Sequence, residues 1–181
     1  MEREALAARI YQVAHLTGHF VLRSGKTSSE YFDKYRFESD PEILAEIAAQ
    51  MAELLPEETE MLAGLETGGI PLATALSLYT GLPAIFVRKK AKDYGTRRLA
   101  EGADFAGRNV AVVEDVITTG GQVVESTRKL EELGAEIAAV VCVIDRQSGG
   151  RENIEKAGYR LASLFTKSDL EAAAKATHRN E

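Results

Sequence analysis

The chain has 181 residues, 45% of them hydrophobic, and carries 28 acidic against 22 basic side chains for a net charge of −6. That length suits one domain with a core large enough to stand without staples, and the apolar fraction excludes disorder. The acidic balance argues against nucleic acid or an anionic membrane as the main partner, although it leaves room for a local basic site. The single cysteine, Cys142, lies in the apolar run "AAVVCVI" and reads as a small core residue. The start "MEREALAARIYQ" lacks the apolar stretch of a signal peptide, and no apolar run approaches the roughly 20 residues that span a bilayer. The expected compartment is the cytoplasm.

In chain order, the first 17 residues read as a helix, with Ala5, Leu6, Ile10, Val13 and Ala14 on one side. "HFVLRSGKTSSEYFDKYRF" alternates around a Ser-Gly-Lys turn and reads as two short antiparallel strands, so that residues 1–38 form a helix and a small hood. Asp40 caps the next helix, Pro41 takes its first position, and Ile43, Leu44, Ile47, Ala48, Met51, Leu54 and Leu55 form its apolar stripe. Strand, turn and helix then repeat. "MLAGL", "PAIFVR", "NVAVVE", "EIAAVVCVID" and "YRLASLF" are the strands, with a helix after the first, another over about 120–133 stopped by Gly134, and a last one at "KSDLEAAAKA". Near-continuous apolar strands separated by helices predict an α/β fold: a central parallel sheet flanked by helices. No repeat or linker interrupts it, so one domain over 1–181 is expected.

"VVEDVITTGGQ" is the most informative stretch. In open parallel sheets ligands bind at the carboxyl ends of the strands. The strand ending in this stretch delivers two adjacent carboxylates, Glu114 and Asp115, to that edge, followed by Thr118, Thr119, Gly120 and Gly121 at a helix start. Free N–H groups at a helix N-terminus favour a phosphate, and glycines let the backbone approach it. Taken alone, Thr-Gly-Gly is more often an ordinary strand-to-helix turn. Two carboxylates side by side repel each other unless they have a role. A ligand with a phosphate at one end and diol hydroxyls at the other, a ribose 5-phosphate, reconciles the acids with the anion turn. "SGKT" at 24–27 is not a nucleotide loop, because the glycine required at position 20 is Phe20 and no helix follows.

A second unusual stretch, "FVRKKAKDYGTRRLAEGADFAG", gathers Arg88, Lys89, Lys90, Lys92, Arg97 and Arg98 in a long connection. By composition alone it is a solvated basic loop. Beside a phosphoribosyl site it also suits a departing diphosphate, whose developing charge positioned cations stabilise. A loop that closes would exclude water from the activated sugar.

"VVEDVITTGG" resembles the phosphoribosyl-diphosphate motif of type I phosphoribosyltransferases, and "RKKAKDYG", "LRSGKTSSEYFD" and "IDRQ" narrow the resemblance to orotate phosphoribosyltransferases. The resemblance implies the type I phosphoribosyltransferase fold and transfer of a phosphoribosyl group from 5-phosphoribosyl 1-diphosphate to orotate. It implies that Lys92, Glu114 and Asp115 are catalytic, and that residues 118–121 hold the 5-phosphate within a donor site that also includes Val116, Ile117 and Gln122. Arg23, Arg88, Lys89, Lys92 and Tyr94 would contact the donor, as would the second glycine turn at Thr67, Gly68 and Gly69. Tyr31 and Phe32 would lie against the pyrimidine, Arg146 would pair with the orotate carboxylate, and Thr118 would touch the base. Mg2+ bound mainly through the diphosphate, and a homodimer whose loops close over the neighbouring site, are also implied, with no protein metal site. Two positions depart from the pattern: Gly68 stands where many members carry lysine, and Tyr94 where histidine is frequent. Two other readings stay open here: transfer to another nucleobase, and a non-catalytic regulator that senses the donor.

Overall fold

A computed structural model describes residues 1–21, 25–90 and 99–177. Helix α1 (Arg3–Ala14) packs Leu6, Ala7, Ile10 and Ala14 inward and runs directly into β1 (His15–Val21). This strand pairs antiparallel with β2 (Thr27–Phe32), His15 opposite Phe32, to make the expected hood as a separate two-stranded sheet. One turn of helix, α2 (Tyr35–Glu38), follows where the sequence reading had continued the hood. Helix α3 (Pro41–Ala52) starts as anticipated: the Asp40 carboxylate accepts from the N–H groups of Glu42 and Ile43, satisfying two donors that have no helical partner.

The main sheet comprises β3 (Met61–Leu65), β4 (Ala84–Val87), β5 (Ala100–Gly102), β6 (Asn109–Ile117), β7 (Glu136–Asp145) and β8 (Leu161–Thr166). Its spatial order is β5-β4-β3-β6-β7-β8, parallel except for the short edge strand β5. The longest of these strands lie at positions four and five of the six, where both neighbours and both faces are covered. Between strands run α4 (Gly69–Thr80), α5 (Gly121–Glu132) and α6 (Gly150–Lys156), and α7 (Lys167–Thr177) follows β8.

Two apolar layers result from the period-two alternation of the strands. Leu62, Ala111, Val113, Ala139 and Val141 face α1, α3, α4 and α7. Met61, Ala63, Val110, Val112, Val140 and Cys142 face α5 and α6. Cys142 is fully buried, and burial pushes its thiol well above the usual range, which fits a packing role. No helix among the described residues is long and apolar enough to cross a membrane.

Candidate active site

Strands β3 and β6 lie side by side, with Gly64 opposite Val113, and each ends in a glycine turn that opens a helix. Both turns therefore leave the same edge of the sheet, the carboxyl end, where this topology places ligands. Strand β6 is longer than the sequence suggested and carries the acid pair within it. The alternation of its side chains is lost over that pair, since Val113 and Val116 pack in one layer while Val112 and Ile117 pack in the other. The irregularity is what lets adjacent acids share one site.

Asp115 is 1% exposed. Its Oδ1 accepts from the Val116 N–H, and its Oδ2 forms an ion pair with the Lys34 ammonium. The Glu114 carboxylate accepts from the Asp115 N–H at 3.0 Å. Above them, a Cβ on Gly68 would stand 1.5 Å from Asp115 Oδ2 and 2.9 Å from Glu38 Oε1, so only glycine leaves that space to the carboxylates. Three acids and one lysine are thus crowded together. Burial, then the Asp115 charge, pushes Glu114 well above the carboxylate range and Glu38 up to about 8. Burial pulls Lys34 down, but its hydrogen bond and attraction to Asp115 outweigh this and raise it.

Past β6, Thr118 and Thr119 are exposed, and Gly120 takes the left-handed conformation (φ 74°) that non-glycine residues avoid. Gly120 is the N-cap of α5, and no side chain caps that helix. The first amides of α5, with the exposed Gly121 and Gln122, are left for a ligand. The turn is pinned from behind: Asn153 on α6 donates its side-chain N–H to the Thr119 carbonyl at 2.9 Å.

A cavity of about 330 Å3 opens between the hood and the ends of β6 and β7. It brings together Tyr31, Phe32, Val116 and Arg146, four of the residues singled out from sequence. Tyr31 is 45% exposed and stacked on Phe20, and Arg146 is exposed. Asp145 does not orient Arg146. Its oxygens are taken by the Gln147 N–H at 2.8 Å and by Arg151 at 3.2 Å, an arrangement that holds the turn on which Arg146 stands. Thr118 is outside the cavity lining.

On the other side of β3, Arg88 pairs with Glu101 on β5 at 3.7 Å. The Lys89 N–H donates to Glu66 at 2.9 Å, which ties the start of the basic segment to the second glycine turn, where Thr67 is exposed and Gly68 and Gly69 are buried. Arg23, Lys92, Tyr94, Arg97 and Arg98 lie outside the described residues. No grouping of three His, Cys, Asp or Glu among the described residues could hold a metal.

Sequence reasoning missed Lys34 and Glu38, which converge on Asp115 from α2 and its N-cap. Their four-residue spacing was a usable helical signal, but the segment had been assigned to the hood. It also missed His15, stacked on Tyr11 at 4.6 Å, and Lys167, both lining the cavity. Nothing in their sequence neighbourhood distinguishes them.

A parallel sheet ending in an acid pair, an uncapped glycine turn and a second glycine turn alongside defines the phosphoribosyltransferase class, and residues 36–168 match the family model of the phosphoribosyl transferase domain. An orotate phosphoribosyltransferase from a Nocardioides species is 53% identical over 171 residues, 94% of this chain and 96% of that protein. Among solved structures, orotate phosphoribosyltransferase from Mycobacterium tuberculosis superposes with a TM-score of 0.85 at 34% identity, covering 93% of this chain and 98% of that one. The same enzyme in complex with 5-phospho-alpha-D-ribosyl 1-diphosphate gives a TM-score of 0.80 at 31% identity, with the same coverage. The chain belongs to the orotate phosphoribosyltransferases.

Proposed function

We propose that this protein transfers the phosphoribosyl group of 5-phosphoribosyl 1-diphosphate to N1 of orotate, yielding orotidine 5'-monophosphate and diphosphate, in the cytoplasm and in the biosynthesis of pyrimidine nucleotides. The observation that carries the reading is the acid pair, with Asp115 buried and Glu114 half-buried, leading into the uncapped start of α5, next to a cavity with an arginine at its mouth.

Thr118, Thr119, Gly120 and Gly121 hold the 5-phosphate through amides, hydroxyls and the positive end of α5. Asp115 and Glu114 accept hydrogen bonds from the ribose hydroxyls and lie under the carbon where positive charge develops as diphosphate leaves. Val116, Ile117 and Gln122 complete that wall. Tyr31 and Phe32 cover the pyrimidine, and the guanidinium of Arg146 pairs with its carboxylate, a geometry that a planar fork fits well. Amides of Thr67, Gly68 and Gly69, with Arg88, Lys89, Lys92, Tyr94 and Arg23, meet the diphosphate. Gly68 gives no side-chain cation there, and its amide does the work.

Magnesium fits as an ion brought in on the donor, whose diphosphate and ribose supply the hard oxygen ligands that it prefers. When bound it neutralises diphosphate charge. By resemblance the active unit is a homodimer whose basic loops complete each other's sites.

The competing acceptors are nucleobases without a carboxylate, which leave Arg146 unpaired. Incubation with magnesium, the donor and a panel of bases tests this. Nucleotide is expected from orotate, and from uracil, hypoxanthine or adenine at under about one hundredth of that rate. Product from one of those bases and none from orotate would overturn the assignment.

A further inference from the structure

The function above uses Asp115 but says nothing of the two side chains that enclose it. Glu38, on α2, is 6% exposed, and among the described residues no donor reaches either of its oxygens. An ionised carboxylate buried without donors is costly, and a second carboxylate alongside makes it worse. Glu38 Oε1 and Asp115 Oδ2 both crowd the one point where a side chain on residue 68 would begin. A single proton between the two carboxyls relieves both problems, since a neutral Glu38 donates and Asp115 accepts. The charged and titratable groups that bear on Glu38 are Asp33 and Lys34 from its own segment and Asp115 from β6, with Glu114 beside Asp115; the start of α4 facing it carries no titratable side chain.

We propose that Glu38 is a positioning residue for the donor sugar: it fixes the Asp115 carboxylate beneath the Gly68 turn through a shared proton, with Lys34 as the balancing cation. A carboxylate clamped this way presents a set lone-pair direction to a ribose hydroxyl and costs no reorganisation when the sugar arrives. The glycine at 68 belongs to the same device, because any side chain there would push the clamped oxygen away. The proton also explains how two acids are kept together without expelling each other. The inference rests on the reading of Asp115 as the acceptor for ribose hydroxyls.

Steady-state kinetics on the full-length protein with magnesium, donor and orotate test it, comparing Glu38→Ala, Glu38→Gln and Asp115→Asn with wild type. Glu38→Ala is expected to raise KM for the donor by about tenfold or more and to leave KM for orotate within about twofold. Glu38→Gln still offers an N–H to Asp115 and is expected to recover donor KM to within about threefold of wild type near pH 7. Wild type should lose kcat/KM for the donor as pH rises above about 8 and Glu38 ionises; the glutamine variant should not. A donor KM unchanged in Glu38→Ala, both KM values rising together, or glutamine faring no better than alanine would each overturn the proposal. Should the alanine variant not fold, the glutamine variant decides: a vanished alkaline fall supports the clamp, and an unchanged one overturns it. An Asp115→Asn variant that uses the donor normally would instead overturn the role given to Asp115.

Discussion

Asp115 takes the place that a side chain at position 68 would claim, and the consequences spread through four residues. Lys34, Glu38, Gly68 and Asp115 come from three separate segments and are joined only by the fold. Their protonation is tied to stability. Glu38 keeps its proton in the folded protein up to about pH 8, while an unfolded chain releases it near the ordinary carboxylic value of 4.5. Between those values the folded state binds more protons than the unfolded one, so this group's contribution to stability falls as pH rises through the window and levels off above it. Urea unfolding of wild type and Glu38→Gln from pH 5 to 8 checks this. The midpoint of wild type should drop more steeply with pH than that of the variant, and parallel slopes would show that Glu38 does not hold the proton.

At the scale of elements, β6 and α5 bring the acids and the anion turn together, and β4 leads out to the basic segment. That segment's first residues already touch the second glycine turn through the Lys89 N–H and Glu66. If its lysine at 92 neutralises the departing diphosphate, Lys92→Ala should lower turnover by at least about tenfold, roughly 1.4 kcal/mol in the barrier. Single-turnover measurement of nucleotide formation would show it, and an unchanged rate would remove the segment from the chemistry. The elements also differ in how well the sequence disclosed them. Asp40, Pro41 and the stripe from Ile43 gave α3 its start and face, because a cap, a fixed φ and a 3.6-residue period all act locally. The run 136–145 gave β7 at both ends because a strand buried on both faces is apolar throughout. The elements that were missed, α2, α6 and β5, have four, seven and three residues, too few for a period to show. Tertiary packing forms them: α2 is held by Phe37 in the core, and β5 by pairing with β4.

The candidate site divides in the same way. The acid pair and the glycine turns stood out because each lies in a contiguous motif whose residue types suit one chemical task, whereas Tyr31, Phe32 and Arg146 entered only through the family resemblance of the motifs that hold them. Lys34, Glu38, His15 and Lys167 were not, since their part is set by what the fold places opposite them.

Across the whole molecule, an acidic protein with a net charge of −6 concentrates cations in the stretch that the proposed reaction assigns to a polyanion, and paired carboxylates in the one it assigns to a sugar. The sheet supports this division by sending two glycine turns off one edge, while the cavity opens between the hood and the ends of β6 and β7. Everything proposed for the reaction depends on a phosphate seated on residues 118–121 and a diol over Asp115 and Glu114. A crystal structure of the protein soaked with ribose 5-phosphate tests that most directly. The phosphate is expected on the amides at the start of α5, with hydroxyls within hydrogen-bond distance of the Asp115 carboxylate. A sugar phosphate bound elsewhere, with the turn at 118–121 empty, would contradict it.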